Sequence, residues 1–139
     1  YNIRYVNREM IDKFDVFVLS YWCNHATADD DTIALLEHME GKKIIIIGTL
    51  GAARESAHGQ KVCENVENLV RAHNTLVGHY LCRGSIDLAR TARRLRIPEG
   101  EKGHLSPERF EKQKESLGHP NAEELAQCQA EVKEFLKAL

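Results

Sequence analysis

One tryptophan, three prolines and two methionines are all that 139 residues hold of these types, and the four cysteines stand far apart. Cys23, Cys63, Cys82 and Cys128 form no C-x-x-C pair, which disfavours zinc fingers and thioredoxin-type chemistry. The seven histidines include no H-x-x-x-H or H-E-x-x-H pair. Cys23 with His25 falls short of the ligand count that zinc requires, so no metal is expected. No serine–histidine–acid or cysteine–histidine arrangement can be placed. No apolar run approaches the roughly 20 residues of a membrane-spanning helix. Nothing reads as a secretion signal, so a cytoplasmic protein with reduced thiols is expected. A formal net charge of -2 leaves no overall basic footprint and argues against nucleic acid as the main partner. What remains is an ordinary globular composition, 42% hydrophobic and 29% charged, at a length that fits one domain over residues 1–139.

Three segments read as buried parallel strands. Lys43-Ile-Ile-Ile-Ile-Gly48 is the clearest, Asp15-Val-Phe-Val-Leu-Ser20 is a second, and Thr75-Leu-Val-Gly-His-Tyr-Leu-Cys82 a third, weakened by Gly78. Unbroken β-branched runs suit strands covered on both faces. Residues 2–6 read as a fourth strand at an edge. Helices alternate with the strands. Residues 29–40 open on three aspartates, which complement the helix dipole, and close at Gly41. Residues 57–73 carry Val62, Val66, Leu69 and Val70 on one face, and residues 86–96 form a short arginine-rich helix stopped by Pro98. The polar stretch 98–120 holds a short helix over 107–117. The last helix begins after Asn121, with Glu124 three positions on, and carries Leu125, Cys128, Val132, Phe135, Leu136 and Leu139 at helical spacing. This alternation predicts an α/β layered domain with a parallel sheet.

Ligands of open α/β sheets bind beyond the carboxyl ends of the strands. The ends to read are therefore Ser20-Tyr21-Trp22-Cys23-Asn24-His25-Ala26-Thr27-Ala28-Asp29, then Gly48-Thr49-Leu50-Gly51-Ala52, then Cys82-Arg83-Gly84-Ser85. Trp22 just past a strand end suits stacking on a planar ligand; position alone leaves this and a purely packing role equally open. Backbone amides of the second loop can approach a ligand closely, although a short glycine motif alone favours a tight turn. Asp29, Asp30 and Asp31 could steer a basic redox partner, but helix-dipole complementation is the commoner role. Arg83, Arg90, Arg93, Arg94 and Arg96 read as a solvated basic face, and His25 and His58 as solvated loop residues.

Ser20-Tyr21-Trp22-Cys23-Asn24 after its apolar strand resembles the S-T-W-G-D loop of flavodoxins, whose tryptophan stacks on the isoalloxazine of FMN. Lys43-Lys-Ile-Ile-Ile-Ile-Gly-Thr-Leu-Gly-Ala52 resembles the next strand and second flavin loop of that family. Tyr80-Leu-Cys-Arg-Gly-Ser-Ile-Asp87 is similar to its fifth strand and the loop that follows. The pattern is nearest to a subgroup of flavodoxin-like proteins with Y-W-x-x-x-x-T-A-D, G-T-L-G-A, C-x-G-x-I-D and an H-P-N matched by His119-Pro120-Asn121. Some proteins of that subgroup look like accessory partners of bilirubin-type reductases. The resemblance implies a three-layer flavodoxin-like sheet of order 2-1-3-4-5. It also implies FMN as cofactor, held by Ser20, Tyr21, Trp22, Cys23, Asn24, Thr27, Thr49, Leu50, Gly51, Ala52 and Gly84.

Two departures qualify this. The phosphate loop [ST]-x-T-G-N-T, with its strand and helix, is not found in residues 1–139. Residues 2–6 would match the family's second strand, so a preceding unit of roughly 30 residues, one strand and one helix, is expected to complete the sheet. The second flavin loop has Arg54, Glu55, Ser56 and His58 where many flavodoxins stack a tyrosine. The function the resemblance implies is electron transfer to or from a partner redox protein. The alternatives are a flavoenzyme subunit reducing a quinone or tetrapyrrole-type substrate, and a flavin-free interaction domain. A response-regulator receiver is disfavoured, because Ser20 and Cys82-Arg83 stand where it needs an aspartate and a lysine.

Overall fold

Lys43–Leu50 (β3) forms the centre of the sheet because its isoleucine run satisfies two apolar faces at once: Ile44, Ile45 and Ile46 are all fully buried. A computed structural model describes all of residues 1–139. Val16–Asn24 (β1) and Thr75–Arg83 (β4) flank β3, both parallel to it. The three strands are neighbours in the order the sequence predicts, joined by helical crossovers. A two-residue strand, Thr27–Ala28 (β2), turns back antiparallel onto the end of β1, with Cys23 opposite Ala28 and Asn24 opposite Thr27.

Asp30–Glu37 (α2) and Ala57–Arg71 (α3) cover one face of the sheet. Their Leu35, Leu36, Val62, Val66 and Val70 pack with Leu19, Tyr21, Ile44, Ile46 and Leu81 into one buried cluster. Each helix starts where a short polar side chain caps its first turn: Asp29 accepts from Thr32 N, and Ser56 from Gly59 N. Ala122–Lys137 (α6) lies on the opposite face over β4. Its start is the predicted one, a reciprocal capping box between Asn121 and Glu124. Phe135 sits over Gly78, where no Cβ would fit, so the glycine that weakens the strand in sequence is what seats the helix. Leu88–Ala92 (α4), continued by a 3₁₀ turn over Arg93–Arg96, and Pro107–Gln113 (α5) build the segment between β4 and α6. No helix is long and apolar enough to cross a membrane.

One expectation is corrected. Residues 2–6 form no strand; Ile3–Tyr5 is a single 3₁₀ turn, and Arg8–Lys13 (α1), not foreseen, follows it. In the order 2-1-3-4-5 a second strand pairs only with the first, which residues 1–139 do not contain, and local bonds take over. Asn2 accepts from Arg4 N and Asn7 accepts from Met10 N, so two asparagines supply turn and cap bonds that compete with a ladder. Ile3, Val6 and Ile11 still reach the core, which is why the segment looks strand-like in sequence.

The outer edge of β1 is unpaired below the short hairpin. Val16, Val18 and Trp22 on its open face are 37%, 48% and 52% exposed, and none is covered by a helix. A groove of about 600 Å³ runs along this edge, lined by Tyr1, Ile3, Phe14, Val16 and Val18 among others. This is the edge at which the flavodoxin order 2-1-3-4-5 places its first strand.

Candidate functional site

The three strand ends come together laterally. Trp22 pairs with Thr49, and Thr49 with Cys82. Gly84 then folds back, its N–H donating to Leu50 O at 2.7 Å, and lies so close to Thr49 that a Cβ at 84 would stand 2.8 Å from Thr49 Cβ. The side chain of Ile86 fills the space where a Cβ of Gly51 would be, and Arg83 Nε donates to Gly51 O at 3.2 Å. Ser116 and Ser85 hold this loop in place: Ile86 N donates to Ser116 Oγ at 2.9 Å and Ser85 Oγ to His119 O at 2.9 Å. The glycines of both loops therefore have close-approach roles.

Strand parity decides which predicted residues face outward. Ser20 and Trp22 point to the open face of β1 and are exposed. Asn24 and Thr27, half-buried, close the hairpin beyond them. Thr49, Gly51 and Ala52 are half-buried at the end of β3 and its loop, and Gly84 is buried beside Thr49. The side chains of Tyr21, Cys23 and Leu50 point to the other face, against the buried cluster under α2 and α3. Those three can serve a ligand at the strand ends only through their backbone.

Asp29 holds the tryptophan's main chain, a role the sequence did not reveal. The residue is 6% exposed and its carboxylate takes three bonds: from Trp22 N at 3.1 Å, Thr32 N at 3.0 Å and Thr32 Oγ1 at 3.0 Å. The same group caps α2 and fixes the end of β1. It can do so because the chain reverses at His25 and Ala26, whose φ values of 49° and 63° give the left-handed pair of a tight hairpin turn. Neither residue is a glycine, so no sequence signal marked the turn. Asn65 Nδ2 braces it, donating to Ala26 O at 2.8 Å. Asp31 is paired with Arg4 at 2.7 Å, so the acidic run is largely committed within the fold.

Beneath Trp22, Tyr21 crosses β3 over Gly48 to reach β4. Its hydroxyl lies 2.8 Å from His79 Nε2, and His79 Nδ1 lies 3.2 Å from Glu67 on α3. A carboxylate only accepts, so Nδ1 carries the proton and Nε2 accepts from the Tyr21 hydroxyl. Arg71 completes the chain at 3.2 Å from Glu67. Burial pushes the Tyr21 phenol well above its ordinary value, and burial pushes His79 down against the opposing pull of Glu67. A histidine with a lowered folded pKa leaves the unfolded chain to bind the proton first as pH falls. The stability this lock supplies is thus full above the ordinary histidine value of 6.5 and is lost as pH drops below it. Urea midpoints measured from neutral to mildly acid pH are expected to fall, and to fall less steeply in His79→Gln.

An exposed indole beside a topological strand end, close-approach glycines on the neighbouring loops and a parallel sheet between helical layers define a flavodoxin-type α/β protein. The comparisons agree. The flavodoxin domain family matches residues 1–135, and the chain belongs to that family, whose members generally bind flavin. It is similar to a curated protein, the flavodoxin-like domain-containing protein BilS of Clostridioides difficile (strain CD3), at 27% identity over 131 residues. That match covers 90% of this chain and 72% of the relative.

Proposed function

We propose that the protein binds FMN non-covalently and carries electrons to or from a partner redox protein in the cytoplasm. The observation that carries this reading is Trp22: a large aromatic 52% exposed, at the carboxyl end of β1, with its main chain fixed by a buried carboxylate. What sets Trp22 apart from Val16 and Val18 on the same face is its place at the carboxyl end of the strand, where a flat ligand of an open α/β sheet would sit against it. Gly51 and Ala52 carry their loop past the end of β3 beside it, and Gly84, packed against Thr49, brings the third strand end alongside. The residues present fit an isoalloxazine. A bound flavin supplies one- and two-electron chemistry, and the surrounding protein sets its potential through stacking and charge. This chain's part is to hold the ring against Trp22 and keep the loops rigid through the Ser85, Ser116 and Asp29 bonds.

The test is the visible spectrum of the intact purified protein. Flavin bands in stoichiometric amount support the reading; a colourless protein that stays so with added FMN overturns it and favours an interaction domain of the same fold. The phosphate offers a second check. Residues 1–139 contain no [ST]-x-T-G-N-T loop, and phosphate recognition needs a cradle of N–H groups, usually backed by a helix N-terminus. A polypeptide of residues 1–139 is expected to bind FMN weakly and no more than a few-fold better than riboflavin. Calorimetric titration with both ligands checks this, and tight FMN-selective binding would contradict it.

A further inference from the structure

We propose that residues 83–96 form the docking surface for a partner protein bearing clustered carboxylates, which they bring to the strand ends around Trp22. The proposal rests on the electron-carrier reading above and names the kind of partner. The segment contains five arginines, Arg83, Arg90, Arg93, Arg94 and Arg96, against one acid, Asp87. The whole chain is at -2, so the rest of the molecule is net negative and the positive charge is concentrated here. Asp87 is spent on capping α4, its carboxylate accepting from Arg90 N at 3.1 Å. The segment's one ion pair is Arg83 with Glu115, at 3.8 Å. Arg94 is steadied by Gly103 O at 2.8 Å, and Arg90, Arg93, Arg94 and Arg96 have no carboxylate partner. Elsewhere Arg4, Arg8 and Arg71 each hold one, and Arg54 and Arg109, also without one, stand singly rather than in a cluster. Four unpaired guanidinium groups within seven residues repel one another, a cost that an opposing set of carboxylates relieves. All five cations are arginine, whose planar fork matches carboxylates bidentately.

The patch is fastened to the site. Arg83 bonds Gly51 O, Gly84 N bonds Leu50 O, and Ile86 packs on Gly51. A partner seated on the arginines therefore lies next to the loop that follows β3. A protein surface fits better than the other polyanions. Residues 83–96 carry no aromatic for stacking on bases, and the acidic remainder of the chain repels a long phosphate backbone. Leu88 and Leu95 are half-buried rather than presented, so the segment offers no apolar face to a bilayer.

The experiment is an NMR titration of the isotope-labelled intact protein with two redox proteins of opposite charge, an acidic plant-type ferredoxin and a basic cytochrome c. It is run at low salt and again at about 0.2 M salt, where charges beyond a Debye length are screened. Ferredoxin is expected to perturb residues 83–96 and Gly51 saturably at low salt, and to bind tenfold or more weakly at the higher salt. Arg90→Glu, Arg93→Glu and Arg96→Glu together are expected to weaken binding about a hundredfold, with the spectrum elsewhere unchanged. The corresponding glutamine variant, which only removes the charges, should lose less. The proposal is overturned by ferredoxin shifts mapping elsewhere, by unchanged binding in the triple variants, by cytochrome c perturbing the same residues equally, or by tighter binding of a short DNA duplex or of phosphatidylserine vesicles to these arginines. The readout uses no flavin, so a colourless protein would overturn the electron-carrier reading while the docking result still stood or fell by itself.

Discussion

Gly48→Ala is expected to cost about 2–6 kcal/mol of folding stability, a large share of what a domain of this size has to lose. A strand position that gains a methyl would ordinarily be neutral or better, because glycine carries an entropic penalty there. Here the new Cβ would stand far inside contact distance of Tyr21 Cζ, because the ring lies across Gly48. Tyr21 is 5% exposed and hydrogen-bonded to His79, so its ring has no empty space to swing into. Displacing it forces off-rotamer packing, typically 1–3 kcal/mol, and leaves a buried polar partner unsatisfied for a further 1–3 kcal/mol or so. The check is a double-mutant cycle by urea unfolding. In a Tyr21→Ala background the same Gly48→Ala change should cost about 1 kcal/mol or less, since the ring it strikes is gone. An equal cost in both backgrounds would mean that the ring crossing is not what requires glycine at 48.

That cycle probes a feature the sequence could not reveal, and the contrast shows where legibility ends. The isoleucines of β3 announced a two-faced strand because burial on both sides needs nothing beyond the run itself. The start of α6 was equally plain, since Asn121 and Glu124 satisfy each other within one turn. Tyr21 and His79 are 58 positions apart, and their meeting depends on the register of three strands. Asp29 was legible as a helix-start acid. Its bond to Trp22 N was not, because it needs a hairpin made by two non-glycine residues with positive φ. Residues 2–6 misled for the opposite reason. Their apolar spacing fits an edge strand, but no neighbouring strand within residues 1–139 pairs with them, and the Asn2 and Asn7 side-chain bonds hold them in helical turns. Alternation along β1 also sorted the predicted site, turning Trp22 outward and Tyr21 and Cys23 inward. The resemblance, which matched residues in line, had treated all of them alike.

Trp22→Ala is expected to separate binding from folding more cleanly than any other change in this chain. The indole stands on the uncovered face of β1, and what Asp29 holds is its main-chain N–H, which alanine keeps. Stability should therefore fall by only about 1–2 kcal/mol, the contribution of an indole left half exposed. FMN affinity in the intact protein should fall at least several-fold, because an aromatic contact of this kind is worth about 0.5–1.5 kcal/mol beyond the area it buries. The redox consequence has a definite sign. An electron-rich ring against the flavin disfavours the negatively charged reduced form, so removing it should bind reduced flavin less poorly than oxidised flavin by comparison and raise the midpoint potential. Trp22→Phe, with a smaller ring, should fall between alanine and the native protein in both affinity and potential. The measurements are the FMN dissociation constant, the two one-electron potentials and the urea midpoint for both variants. A folded Trp22→Ala protein with native affinity and native potentials would show that the flavin does not lie against this strand end.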